Sequence, residues 1–325
     1  MEEILCGRAT DEEIKGLLVA LREKGETVEE LVGLATAMRR HAAPVFRAGP
    51  SFGGRARAIT GLVDTCGTGG DGRGTFNIST CAAFVAAGAG ARVAKHGNRS
   101  ISSRAGSADV LEALGVPMDV PLARMGEAVE RIGIGFFFAP AAHSAMKHAM
   151  RARRELKGHT VFNLLGPLTN PAGARAQVAG VFSERGVGLV AGALAALGVE
   201  RAFVVHGADG LDEISISGET HVQEVRDGEV RRYKLTPGDF GVERAPLEVI
   251  AGGDAAENAE MIRGVLGGER GARRDVVVMN ASAALVAAGC AGNFREGAKK
   301  AAEAIDSGAA RKKLEELRGF SKLPG

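Results

Sequence analysis

Residues 64–115, DTCGTGGDGRGTFNISTCAAFVAAGAGARVAKHGNRSISSRAGSADVLEALG, decide how this chain folds. Gly61 to Cys66 reads as a short buried strand. A glycine loop follows it, Gly67-Thr68-Gly69-Gly70-Asp71-Gly72, with Gly74 and Thr75 just beyond. Asn77-Ile78-Ser79-Thr80 then opens an apolar, alanine-rich helix. Glycine lets a backbone approach a ligand closely and take positive φ. The start of a helix offers unpaired N–H groups and a dipole that favours negative charge. Asn77, Ser79 and Thr80 are residue types that cap such a start and also bond phosphate oxygens. The stretch reads as an anion cradle. A second polar cluster, Lys95-His96-Gly97-Asn98-Arg99, follows the next apolar strand.

Gly67, Gly69 and Gly72 match G-x-G-x-x-G, but two features argue against a dinucleotide site. The second strand ends in Lys95 and His96, where an acidic residue would be needed to hold the ribose. Asp71 lies inside the loop, where a carboxylate repels a bare pyrophosphate. It makes sense if the ligand carries Mg²⁺ or offers sugar hydroxyls. No G-K-[ST] closes the loop, so it is not a Walker motif.

Outward from this stretch, the pattern alternates strand and helix. Strands are expected at 61–66, 91–95, 134–138, 176–182, 202–206, 229–234 and 275–279, and helices at 77–88, 107–114, 121–132, 188–197 and 280–289. Such alternation predicts an α/β sheet of parallel or mixed order, with ligands beyond the carboxyl ends of the strands. Asp64–Asp71, Lys95–Asn98 and His206–Gly210 all follow strand ends. Residues 1–47 are helical in pattern instead. Ile14, Leu17, Leu18 and Leu21 share one helical stripe, and Val28, Leu31, Val32 and Ala35 share a second that starts at Thr27. Residues 48–60 read as a Gly- and Arg-rich linker.

The 325 residues carry a net charge of +2, so no general polyanion surface is expected. With no Trp and Tyr233 as the single Tyr, a base-stacking platform for nucleic acid is poorly supplied. Cys6, Cys66, Cys81 and Cys290 lack C-x-x-C spacing and read as reduced, mostly buried thiols. Neither a signal peptide nor a membrane span is expected, which predicts a cytoplasmic protein.

Five blocks carry a resemblance: GTGGDG at 67–72, NIST at 77–80, VAKHGNR at 93–99, SSRAGSADVLEALG at 102–115 and FNLLGPLTNPA at 162–172. In this order and spacing the chain resembles the anthranilate phosphoribosyltransferase family from about Glu12 to Phe320. The resemblance implies a small helical N-terminal domain, 1–60, and a larger α/β domain, 61–325, with a mixed, mostly parallel central sheet of the nucleoside phosphorylase and phosphoribosyltransferase type. Helices near 141–172 would pack on the helical domain. One further helix would precede the stretch at which this chain begins. The implied reaction moves phosphoribose from 5-phosphoribosyl 1-pyrophosphate to the amine of anthranilate, with Mg²⁺, in tryptophan biosynthesis, carried out by a homodimer.

The donor site expected from these blocks comprises Gly67, Thr68, Gly70, Asp71, Thr75, Asn77, Ser79, Thr80, Lys95, Ser103 and Ser107. Ser107 equally reads as a helix cap, and Lys95, taken alone, as a surface lysine. The adjacent acids Asp212 and Glu213, in a loop after a strand, suit oxygen-ligated Mg²⁺. The resemblance implies them as metal ligands, with Ser79 as a further or near ligand, and leaves Asp209 as a less favoured third acid. It also implies Gly67, Asn98, His143 and Arg153 around anthranilate, with Gly166-Pro167 shaping the wall. By themselves Arg151, Arg153 and Arg154 form a basic helix face, and any of them suits the surface. The family's Gly-x-Arg-Thr stands here as Lys157-Gly158-His159-Thr160. No protein nucleophile is expected. Two other readings fit less well. A pyrimidine nucleoside phosphorylase wants a Lys-His-Ser-Thr-Gly-Gly phosphate loop. A nucleic-acid-binding relative wants a basic surface and no acceptor arginine.

Overall fold

The computed structural model describes residues 1–46, 59–100, 104–156 and 158–322. The expected linker, 48–60, lies outside these except for Ile59 and Thr60, and Ser103 lies outside them too. The chain opens with α1 (Glu2–Leu5), α2 (Asp11–Lys24) and α3 (Val28–Arg40). Thr10 and Thr27 each close a capping box with the glutamate three residues on, which fixes where α2 and α3 begin. Of the stripe expected on α2, Ile14, Leu18 and Leu21 are buried, whereas Leu17 is 38% exposed.

The α/β part follows as β1 (Leu62–Gly67), α4 (Ile78–Gly88), β2 (Arg92–Gly97), α5 (Ser107–Ala113), α6 (Leu122–Ile132) and β3 (Ile134–Phe138). Three short helices come next, α7 (Ala139–Ala142), α8 (Met150–Glu155) and α9 (Val161–Leu165). Then come β4 (Ala176–Gly180), α10 (Glu184–Ala196), β5 (Arg201–Gly207), β6 (Thr220–Arg226) and β7 (Glu229–Leu235). The chain closes with α11 (Ala255–Leu266), α12 (Ala272–Ala287), α13 (Phe294–Asp306) and α14 (Ala309–Lys322).

The strands form one seven-stranded sheet in the order β3-β2-β1-β4-β5-β6-β7. Strands β3 through β5 run parallel, while β6 and β7 are antiparallel to their neighbours. The mixed, mostly parallel sheet expected from the sequence is present. Helices α4 and α12 cover one face, and α10 covers the other, where α3 packs on it. Helices α2 and α3 also pack on α8 and α9. Each face has its own apolar core.

Two expectations fail. Residues 275–279, expected as a strand, lie inside α12, whose residues from Arg274 to Ala287 are all buried apart from Asp275. A β-branched run buried on every side has no polar face, so periodicity cannot separate strand from helix there. Strand β6 went unread, although Asp227-Gly228 after it is a two-residue hairpin signal. Both residues take positive φ, 52° and 85°, and Arg226 pairs with Glu229 across them.

Candidate active site

The order of the parallel strands reverses between β1 and β4, the kind of point at which open α/β sheets bind ligands. Gly67 and Gly180, the last residues of these strands, are register partners there. A Cβ on Gly180 would sit 1.5 Å from the Asp212 carbonyl oxygen, and one on Gly67 would sit 3.4 Å from Asp212 Oδ2. Side chains are absent where the loop after β5 must lie across the strand ends. That loop is held from behind by Asn280 of α12, which accepts from the Ile214 N–H at 3.0 Å and donates to the Ile214 carbonyl at 3.2 Å.

Three carboxylates meet over this crevice. The Asp212 N–H donates to Asp71 Oδ2 at 3.3 Å, and the Ser79 N–H at the start of α4 donates to Glu213 Oε1 at 3.0 Å. Burial, then the neighbouring Asp71 and Glu213 charges, push the Asp212 carboxyl well above its usual range. Burial pushes Glu213 up to about 7 against the pull of Lys95 and Ser79. Carboxylates that raise one another's proton affinity are short of positive charge, which a hard divalent cation supplies. Their oxygens are not gathered within 4.8 Å as a closed protein cage would be. That spacing suits Mg²⁺, which keeps waters and bridges phosphates. Asp209, the less favoured third acid, accepts from Ser215 Oγ at 2.5 Å and Ser217 Oγ at 2.6 Å, contacts that shape the loop.

Lys95 and His96 are successive residues of β2 and so point to opposite faces of the sheet. Lys95 is 4% exposed. It donates to the Thr65 carbonyl and, at 3.3 Å, to Ser79 Oγ. Burial lowers its pKa, and the Asp64 and Glu213 charges oppose that. Lys95 is therefore not a surface lysine but the counter-charge beneath the start of α4. Asp64, fully buried, accepts from Asn170 Nδ2 at 2.7 Å and the His96 N–H at 3.1 Å. Its carboxyl is raised to about 6 by burial.

On the other face, the His96 ring meets His143 edge-on at 5.4 Å. His96 Nδ1 lies 3.3 Å from the Gly166 carbonyl, and His143 Nε2 lies 2.9 Å from the Thr169 carbonyl. The second ring nitrogen of each is buried without a partner. Burial, then the neighbouring His143, lowers His96 to about 3, so it is neutral at pH 7. Arg153 of α8 is half-buried with its guanidinium 5.8 Å over the Phe162 ring. Among the described residues no hydrogen bond or carboxylate engages it. His159 stacks on Phe182 at 3.9 Å and lies 3.1 Å from the Gly70 carbonyl, which ties the glycine loop to the segment that carries Arg153.

Residues 60–311 match the glycosyl transferase family a/b domain, and residues 1–42 match the helical bundle domain of that family. An anthranilate phosphoribosyltransferase of Solibacter usitatus is 56% identical over 321 residues, 99% of this chain and 92% of the relative. The solved enzyme of that name from Thermus thermophilus superposes with a TM-score of 0.91 at 46% identity, covering 99% of this chain and 93% of that one. The Saccharomyces cerevisiae enzyme, solved in complex with PRPP and Mg, superposes with a TM-score of 0.84 at 31% identity, over 96% of this chain and 85% of that one.

The chain belongs to the anthranilate phosphoribosyltransferase family. Its expected site residues gather unevenly. Gly67, Thr68, Gly70 and Asp71 line the crevice, where Thr68 Oγ1 accepts from the Phe182 N–H at 3.0 Å. Thr75 forms a single bridge with Ala251 beyond it. Asn77 occupies the N-cap of α4 without capping it, because its side chain joins Ala105 and Asn258 at 3.2 and 2.9 Å. Thr80 turns its hydroxyl into the interior, where it is buried without a partner. Only its backbone belongs to the helix start. Ser107 does not cap α5 with its side chain, which donates to the Asn98 carbonyl at 3.3 Å. Asn98 itself is exposed. Sequence reasoning missed His96, although its place beside Lys95 in a strand put it on the opposite face of the sheet, where it meets His143.

Gly180→Ala is expected to displace the Asp212–Glu213 loop and to lower kcat/KM by about 100-fold, the scale of an ångström's misplacement in an active site. Circular dichroism should show the fold retained. Lys95→Met leaves two buried carboxylates without their cation. Losing the Lys95 hydrogen bonds to the Thr65 carbonyl and Ser79 Oγ should lower unfolding free energy in urea by about 1–3 kcal/mol, and adding Asp64→Asn should restore part of the loss.

Proposed function

We propose that this chain transfers the 5-phosphoribosyl group of 5-phosphoribosyl 1-pyrophosphate to the amine of anthranilate, giving N-(5-phosphoribosyl)anthranilate and pyrophosphate. The observation that carries this reading is the pairing of two half-sites across the β1–β4 crevice. One holds an electron-rich carboxylate loop beside a helix start. The other holds a half-buried arginine that no carboxylate engages among the described residues, and two histidines kept uncharged by burial. The first suits a metal-bound pyrophosphate, and the second a flat aromatic carboxylate.

In the reaction the C1–O bond to pyrophosphate breaks, the amine nitrogen takes the carbon with inversion, and the nitrogen sheds a proton. Asp212 and Glu213, with Asp71 and Ser79 beside them, would hold Mg²⁺, which when bound neutralises charge on the pyrophosphate. The N–H groups of the glycine loop and of the α4 start grip phosphate oxygens. Arg153 holds the acceptor carboxylate, and Asn98, His143 and Gly67 line its slot. Because neutral His96 and His143 add no positive charge there, the acceptor's anion is left to Arg153. Orienting the amine in line supplies the rest. We place the domain boundary at 60/61 and read the working unit as a cytoplasmic homodimer. Exposed Leu17 on α2 is apolar surface that a second copy would cover.

Anthranilate fluorescence should fall only when protein, phosphoribosyl pyrophosphate and Mg²⁺ are all present. Asp212→Asn with Glu213→Gln should lower kcat/KM by about 100-fold or more, the upper end of metal-site disruption. Unchanged fluorescence from folded protein that binds the donor would sink anthranilate as the acceptor.

Glu213 lies near 7 in the folded chain against an ordinary 4.5. Between those values the folded state holds a proton that the unfolded state has lost, so this group's contribution to stability falls as pH rises through 7. Mg²⁺ competes with that proton. Mg²⁺ affinity should therefore drop by up to about tenfold per pH unit below 7. The Tm gain from Mg²⁺ should be larger at pH 8 than at pH 6, and Glu213→Gln should flatten that difference.

A further inference from the structure

Away from the crevice, Glu2, Cys6 and His41 bring a carboxylate oxygen, a thiol sulfur and an imidazole nitrogen within 4.8 Å of one another. Among the described residues they are the one such group of donors. Glu2 and Cys6 stand four residues apart on α1, where the Cys6 N–H donates to the Glu2 carbonyl at 2.9 Å and sets both side chains on one face. His41 comes from the far end of α3, as its C-cap. His41 Nε2 already lies 2.6 Å from Glu2 Oε2. The backbones beneath are anchored. Ile4 and Leu5 are buried, and the His41 N–H donates to the Ala37 carbonyl at 3.2 Å. Arg8, gripped by Glu3 at 2.6 and 2.7 Å, stands beside the Cys6 side chain.

We propose that Glu2, Cys6 and His41 form a Zn²⁺ site that staples α1 to the end of α3. A thiolate, an imidazole and a carboxylate are the ligand types zinc takes, at about 2.3, 2.0 and 2.0 Å, and three protein ligands leave a fourth position for water. Ligands at those lengths in a tetrahedron stand about 3.3–3.6 Å apart. Small side-chain rotations reach this from the separations present, chiefly by opening the His41–Glu2 contact. Zinc's two positive charges balance the Glu2 carboxylate and the Cys6 thiolate. Sulfur and nitrogen ligands select against Mg²⁺, so this site and the Asp212–Glu213 loop take different metals. The bound metal joins two helices that meet here at the surface through the His41–Glu2 side-chain contact, and exposed polar contacts of that kind contribute little. Its role is to stabilise the helical unit, not to take part in the transfer.

The test is Co²⁺ titration of the full chain, reduced with a phosphine, followed by near-ultraviolet thiolate-to-cobalt absorption. One equivalent of Co²⁺ should raise the band, and Zn²⁺ should displace it. Cys6→Ser should abolish it. His41→Ala and Glu2→Gln should each weaken binding at least about 10-fold, the low end for disturbing even an outer partner of a metal. Zn²⁺ should also raise the Tm of the parent chain and not that of Cys6→Ser. These positions lie at the surface, so circular dichroism should show all three variants folded. The Mg²⁺-dependent transfer should persist in each, whichever way the cobalt experiment falls. Absence of the band, its survival in Cys6→Ser, or unchanged affinity in His41→Ala would each overturn the site.

Discussion

A single buried ammonium organises the centre of this molecule. Lys95 sits below the start of α4, bonded to the Thr65 carbonyl and to Ser79, with Asp64 on one side and Glu213 on the other. Each of these carboxylates would be costly to bury alone, and one cation serves both. Asp64 in turn fixes Asn170, which also donates to the Ala94 carbonyl at 2.8 Å, so the segment after α9 is tied to β1 and β2. Glu213 holds the Ser79 N–H. The sheet, the start of α4, the acidic loop and the segment after α9 thus share one electrostatic network. Burial, with like charges beside them, raises the Asp212 and Glu213 carboxyls, so a cation there would be stabilising.

Steric absence matters as much as charge. Gly67 and Gly180 face each other at the ends of β1 and β4, and the acidic loop occupies the room their missing side chains leave. Farther out, His159 closes on the glycine loop from the helical side by stacking on Phe182. The glycine loop is therefore held from both sides of the crevice.

Much of the frame was legible in the residues. The strand, glycine loop and helix of 62–88 emerged as the pattern of Gly, hydroxyl and apolar residues required. Thr27 marked the start of α3. The adjacent pair Asp212-Glu213 suits a hard cation, but by itself such a pair is usually just solvated, and only the family resemblance singled it out. What the sequence hid was orientation. Thr80 and Ser79 are neighbours of the same chemical type, yet one hydroxyl turns inward and is buried without a partner and the other meets Lys95. Asn77 looks like a cap and instead ties α4 to Asn258. The valines of α12 look like a strand because burial on all sides erases the periodicity that tells helix from strand.

The sequence by itself determined the architecture of this protein, its family and the short motifs at the strand ends, because local periodicity, glycine and capping chemistry are properties of neighbouring residues. Only the tertiary structure decided which side chains converge. Asp71 meets Asp212 across 141 positions, His96 meets Gly166 across 70, and Glu213 meets Ser79 across 134. Contacts of that separation depend on strand order, on which face of the sheet each residue takes, and on where a missing Cβ lets one loop lie on another. Those are properties of the assembled chain, and no short window of sequence contains them.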